Sequence, residues 1–96
     1  MRPLVDPSAS GLAERLLLAL EEVSELVASF GGAVTGEHGW GLARSHLAPR
    51  ALGPDLYERC VAVKRAWDPE GVLNPGRIVD APPPDPGALS IGRPTF

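Results

Sequence analysis

A single cysteine, Cys60, in 96 residues leaves nothing to pair with. An internal disulfide and a Cys-x-x-Cys metal site are both excluded. Cys60 falls inside a helical pattern, which predicts a buried, inert thiol. Basic charge is also short: nine Lys and Arg stand against twelve Asp and Glu, for a net charge of −3. The basic patch that nucleic-acid binding requires is missing. The longest apolar stretch, Leu16 to Leu20, is far too short to span a bilayer, so no transmembrane segment is expected. The first residues, Met1 to Pro7, have no apolar core of the signal-peptide kind. The expectation is a soluble chain of the cytoplasm. Its length admits one small domain at most, which buries a modest fraction of its surface and is marginal alone. There are no internal repeats.

Glycine and proline, by contrast, number eleven each, and both are unevenly placed. Five glycines crowd the eleven positions from Gly31 to Gly41, and five prolines lie in residues 82–94. Glycine takes positive φ freely and lets other groups approach the backbone closely. Within the glycine run, Ala33-Val34-Thr35 reads as a short strand and residues 36–41 as a turn. This strand would deliver Glu37 and His38 to opposite faces, since successive strand side chains alternate. That geometry suits two separate roles better than joint chelation of one metal.

Two helices flank the glycine run. Leu12, Leu16, Leu20, Val23, Val27 and Phe30 recur at spacings of three and four, which predicts a helix over residues 8–30. Leu17 and Leu18 widen the stripe. Ser8 or Ser10 would cap its start and Gly31 would end it as the left-handed residue beyond the last turn. Leu42 to Leu47 predicts a short helical turn stopped by Pro49, because the residue before proline avoids the helical region. The second main helix opens at Gly53-Pro54, with proline where its missing N–H is harmless. Leu56, Cys60, Val63 and Trp67 form its inward stripe, with Tyr57, Val61 and Lys64 beside them. Asp68-Pro69-Glu70-Gly71 has the composition of a type I turn. Val72 to Val79 follows as an irregular segment. Residues 81–96 predict an extended or disordered proline-rich tail. One short strand with two helices is an incomplete α+β unit, and the strand needs partners from outside.

Chemistry concentrates at Glu37 and His38. Imidazole serves as acid or base near neutral pH, and a carboxylate can bind a metal or orient another group. The plain alternative is a pair of solvated turn residues, although a plain turn has no need of five glycines. The run lacks the Lys-Ser/Thr ending and the spacing of phosphate-binding loops. His46 reads as a surface histidine. Arg44 and Arg50 read as solvated, with anion binding as the alternative. Asn74-Pro75-Gly76 reads as a turn in which Asn bonds its own backbone.

Gly31-Gly32, Gly36-Glu37-His38-Gly39 and the run Lys64 to Val79 (Lys-Arg-Ala-Trp-Asp-Pro-Glu-Gly-Val-Leu-Asn-Pro-Gly-Arg-Ile-Val) resemble the C-terminal end of the FAD-linked oxidases. This is the vanillyl-alcohol oxidase superfamily, and the likeness is to its D-lactate dehydrogenase, glycolate oxidase D-subunit and D-2-hydroxyglutarate dehydrogenase members. It covers roughly residues 3–80. Gly41 to Ser45 and Leu73 to Asp80 are most similar to large members that also carry an iron–sulfur domain. The resemblance implies that Glu37 is a ligand of a divalent metal such as zinc or manganese, that His38 faces the substrate as a base, and that Asn74 lies against the flavin. The substrate it implies is a small 2-hydroxy acid. It implies FAD, held by a separate subunit or an upstream domain, and allows an iron–sulfur electron acceptor.

Two departures stand out. Trp40 occupies the place of a small, acidic or aliphatic residue after Glu-His-Gly, and the family's upstream histidine pair has no counterpart, since His38 and His46 are the only histidines. The expected organisation is therefore an incomplete segment of the C-terminal substrate domain over residues 1–80 and a tail over 81–96, inactive by itself. The competing expectation is a non-enzymatic helical module that docks on a partner through its two apolar stripes.

Overall fold

The apolar repeat that begins at Leu12 gains a single side only if the backbone is helical. The computed structural model, which describes residues 4–88, has that helix as α1, Leu12–Ser29. It begins later than residue 8, and neither Ser8 nor Ser10 caps it. The Ser8 hydroxyl and amide instead donate to Asp6 Oδ1 at 2.6 and 2.9 Å. Such a local turn competes with helix for the same groups. The far end is as expected. Gly31 sits at φ 68, and the amides of Gly31 and Gly32 donate to the Ala28 and Val27 carbonyls, both at 2.9 Å. These paired bonds satisfy carbonyls that a helix end leaves open.

Residues 33–35 are not a strand, and no strand occurs among the described residues. The α+β expectation is corrected to an all-helical arrangement with long loops. A strand is stable only when its backbone groups pair with a neighbour. Here glycines bracket three residues, and no second strand is offered.

The chain next forms α2, Gly41–Arg44, a 3-10 turn at Ser45–Leu47, and α3, Ala48–Leu52. Pro49 does not stop this run; it lies in the first turn of α3, where no amide donor is required. Gly53, at φ 76, breaks the chain direction before α4, Pro54–Trp67, which opens on its proline as expected. The proline-rich tail carries a second 3-10 turn, Pro86–Ala88, that lies against α1. Residues 89–96, the rest of the expected tail, lie outside the described residues.

The buried apolar residues are Leu12, Leu47, Ala48 and Val79. Ser24 and Ser45 join them by returning their hydroxyls to Leu20 O and Gly41 O, one turn back. Polar side chains are tolerated inside only when bonded in this way. Two side-chain pairs tie α1 to the segment after the glycine loop: Arg50 to Glu25 at 2.5 Å and His46 Nε2 facing Glu21 Oε1 at 3.7 Å. His46 is thus not a surface histidine. Its side chain is only 12% exposed, and neither ring nitrogen has a hydrogen-bond partner.

The inward stripe expected on α4 is corrected too. Leu56, Val63 and Trp67 are 50%, 60% and 84% exposed, and no residue of α4 is buried. They line one wall of an open groove of about 560 Å³, with Leu73, Ile78 and Val79 on the other. Cys60 is half-buried in that wall, not sealed in a core. An amphipathic stripe states where a helix gains from apolar contact; it does not supply the contact.

Candidate functional site

The glycine loop closes on one carbonyl. The Thr35 hydroxyl donates to Gly39 O at 2.9 Å, and Arg44 Nη1 donates to the same oxygen at 3.1 Å. Gly39 and Gly41 stand at φ 69 and φ 56, the region that favours glycine, and allow the reversal. Glu37 and His38 project from the tip, with side chains 87% and 80% exposed. His38 Nε2 lies 3.4 Å from Glu37 Oε1. The opposite-face placement expected of a strand is therefore absent, because a bend lets neighbouring side chains meet. An imidazole beside a carboxylate can take a proton and have the resulting cation stabilised.

A second loop runs from α4 to residue 80 and is organised by Asp68. The expected turn is present, with Gly71 N–H donating to Asp68 O at 3.1 Å. Asp68 is buried; its Oδ1 accepts from Val72 N–H at 2.9 Å and its Oδ2 from Leu73 N–H at 3.0 Å. Lys64 Nζ bridges Asp68 Oδ2 and Leu73 O. The far end is pinned where Asp80 N–H donates to the Tyr57 hydroxyl at 3.2 Å. Between these anchors three non-glycine residues hold positive φ: Asn74 at 45, Ile78 at 63 and Asp80 at 53. The Val79 amide donates to Arg77 O at 2.7 Å across Ile78. A tight turn on a β-branched residue at positive φ is a strained conformation.

Asn74 is exposed on this second loop, and among the described residues no hydrogen bond or ion pair joins it to Glu37 or His38. The structure thus unites two of the residues singled out in the sequence and keeps the third on separate backbone. Arg44 and Arg50, read as solvated or anion-binding, are committed to Gly39 O and Glu25. Asp68 was legible only as a turn residue. Its i, i+4 spacing from Lys64 was the signal for the larger role.

The Lys64 ammonium, followed by the backbone donors of Leu73 and Val72, holds the Asp68 carboxyl below its usual value of 3.8, against the opposing effect of its burial. A lowered folded value means that the stabilisation is complete above 3.8 and is lost as pH falls through the lowered one. On a Trp40→Phe background, Trp67 fluorescence is expected to show an acid transition below that pH. Asp68→Asn should abolish it. Superimposable acid titrations of the two proteins would remove Asp68 from this role.

Residues 1–78 match the family described as FAD linked oxidases, C-terminal domain. The chain belongs to this family. Among curated proteins, it is 41% identical over 58 residues to the D-2-hydroxyglutarate dehydrogenase of Haemophilus influenzae, covering 60% of this chain and 6% of that protein. It is 35% identical over 65 residues to the glycolate oxidase subunit GlcD of Bacillus subtilis, covering 68% of this chain and 14% of that one. It is 32% identical over 65 residues to the D-lactate dehydrogenase of Anaerostipes hadrus, with the same two coverages of 68% and 14%. The chain therefore spans a small fraction of the length of these relatives. No solved structure matches it.

As a member of the FAD-linked oxidase C-terminal family, the chain bears the glycine loop and the second loop as far as Ile78 within the matched residues. No helix of the described residues is long and apolar enough to cross a membrane.

Proposed function

We propose that this chain is the substrate-side segment of a flavin-dependent oxidoreductase acting on a 2-hydroxy acid such as D-lactate, glycolate or 2-hydroxyglutarate. The observation that carries the reading is the paired Glu37 and His38 at the tip of a closed glycine loop. It is supported by the family and by relatives named for such substrates. In this reaction the α-carbon loses a hydride and the hydroxyl loses a proton. Bound flavin supplies the hydride acceptor. His38 is the base that takes the proton at a ring nitrogen, and the Glu37 carboxylate stabilises the imidazolium that results.

Asn74 is the residue for the flavin's edge: it is exposed, on a backbone at φ 45. The described residues form no enclosed cradle for the rest of that cofactor, so an FAD-binding domain, on the same polypeptide or a separate subunit, is the partner required. Glu37 is also the carboxylate for a divalent cation such as zinc or manganese. The described residues contain no group of three His, Cys, Asp or Glu able to hold one, so the other ligands come from the partner and no step is derived through the metal. An iron–sulfur protein is the acceptor class suggested by the runs Gly41 to Ser45 and Leu73 to Asp80.

The test is reconstitution of the chain with an FAD-binding domain of this family, followed by dye reduction with D-lactate, glycolate and D-2-hydroxyglutarate. Reduction with at least one is expected. A folded, flavin-loaded assembly that reduces no dye with any of them would sink the reading.

A further inference from the structure

We infer that Thr35 and Arg44 are positioning residues that clamp the glycine loop shut, so that Glu37 and His38 stand side by side at its tip. The inference rests on the reading of that pair as the reactive one, and it gives Thr35 and Arg44 a positioning role that the sequence did not assign them. Both donors converge on the Gly39 carbonyl, from opposite ends of the loop, at 2.9 and 3.1 Å. Arg44 ends α2, while Thr35 follows half-buried Val34, which lines a small crevice together with Ala28 of α1 and Leu47. The two anchors therefore stand on parts of the fold held by other contacts, and the loop spans the gap between them. Gly36, Gly39 and Gly41 meet no neighbouring atom within 4 Å of where a Cβ would be. No neighbour packs against the loop at these three positions, and the two hydrogen bonds close it across them. A carbonyl has two lone pairs and accepts both donors at once. Arg44 adds a charged donor, the stronger kind, and its geometry is kept by the helical turn that carries it.

The clamp is read by the protease that cuts after glutamate, because the Glu37–His38 bond lies inside the loop and the Glu70–Gly71 bond lies in an independent exposed turn. The ratio of the two cuts, followed by mass spectrometry on the intact 96-residue chain, separates loop opening from general unfolding, which raises both. Thr35→Val and Arg44→Met are each expected to raise the ratio about threefold, and the double variant more, as loss of a partly exposed hydrogen bond allows. Thr35→Ser and Arg44→Lys keep a donor and should restore the parent ratio. Arg50→Met, which removes only the pair with Glu25, should leave it unchanged. An unchanged ratio in the double variant overturns the inference, as does a parent chain already cut at Glu37 as fast as the double variant. Failure of the functional reading looks different: His38→Ala would keep full activity in the reconstituted assembly while the parent loop stayed protected.

Discussion

His38→Ala, in the chain reconstituted with an FAD-binding domain, is expected to lower kcat by roughly 10²–10⁴-fold, the usual contribution of a positioned general base. Flavin content and thermal stability should not move. The His38 side chain is 80% exposed and its ion-pair partner is its own neighbour Glu37, so its removal opens no cavity and unpairs no buried group. Substitutions at such sites usually change stability by no more than about 0.5 kcal/mol. A loss of turnover can then be assigned to chemistry. Glu37→Gln is the companion variant. It keeps the volume and removes the charge, so it should lower activity and any bound divalent metal together. Turnover in His38→Ala equal to that of the parent would return the histidine to a solvated turn residue. Full metal content in Glu37→Gln would end its assignment as a ligand.

The isolated chain is expected to stay colourless after incubation with FAD and to self-associate as its concentration rises. The reason is the distribution of its apolar surface. Among the described residues the buried apolar ones are only Leu12, Leu47, Ala48 and Val79, while Phe30, Trp67, Val72 and Leu4 are 83%, 84%, 70% and 102% exposed. The open groove along α4 is part of that exposed apolar surface, and a face that an FAD-binding domain would cover is left for a second copy of the chain. Light scattering should show a mass that grows with concentration. On the Trp40→Phe background, Trp67 emission, typical of an exposed indole at high dilution, should shift to the blue when the FAD-binding domain is added. A yellow, monomeric preparation with stoichiometric FAD would refute this expectation and show that the second loop holds the cofactor unaided.

The elements whose cause is local were legible in the residues. The Gly31 termination, the Pro54 start of α4 and the Asp68 to Gly71 turn depend on side chains a few positions apart, and each is where the spacing placed it; the stripe expected from Leu12 to Phe30 is helical as far as Ser29, and Phe30 lies beyond it, 83% exposed. So was the family, since two separated motifs carried it.

What failed depended on distant partners. Ala33 to Thr35 has strand-like residues, but pairing belongs to a neighbour that the described chain does not provide. The stripe on α4 marks a face without saying what covers it, and that face is open. His46 looked solvated because nothing in its neighbours announces Glu21, which approaches from another helix. For the candidate site, the residue types at Glu37 and His38 were visible, but their 3.4 Å contact was not. The contact goes with the bend of the loop, where Thr35 and Arg44, four and five positions from Gly39, both donate to its carbonyl, and residue types alone do not state that backbone conformation. The same division holds at Asp68. Its neighbours in sequence specified a turn, and folding then shielded its carboxylate from water, where the Lys64 charge and two backbone donors act in a medium of lower dielectric.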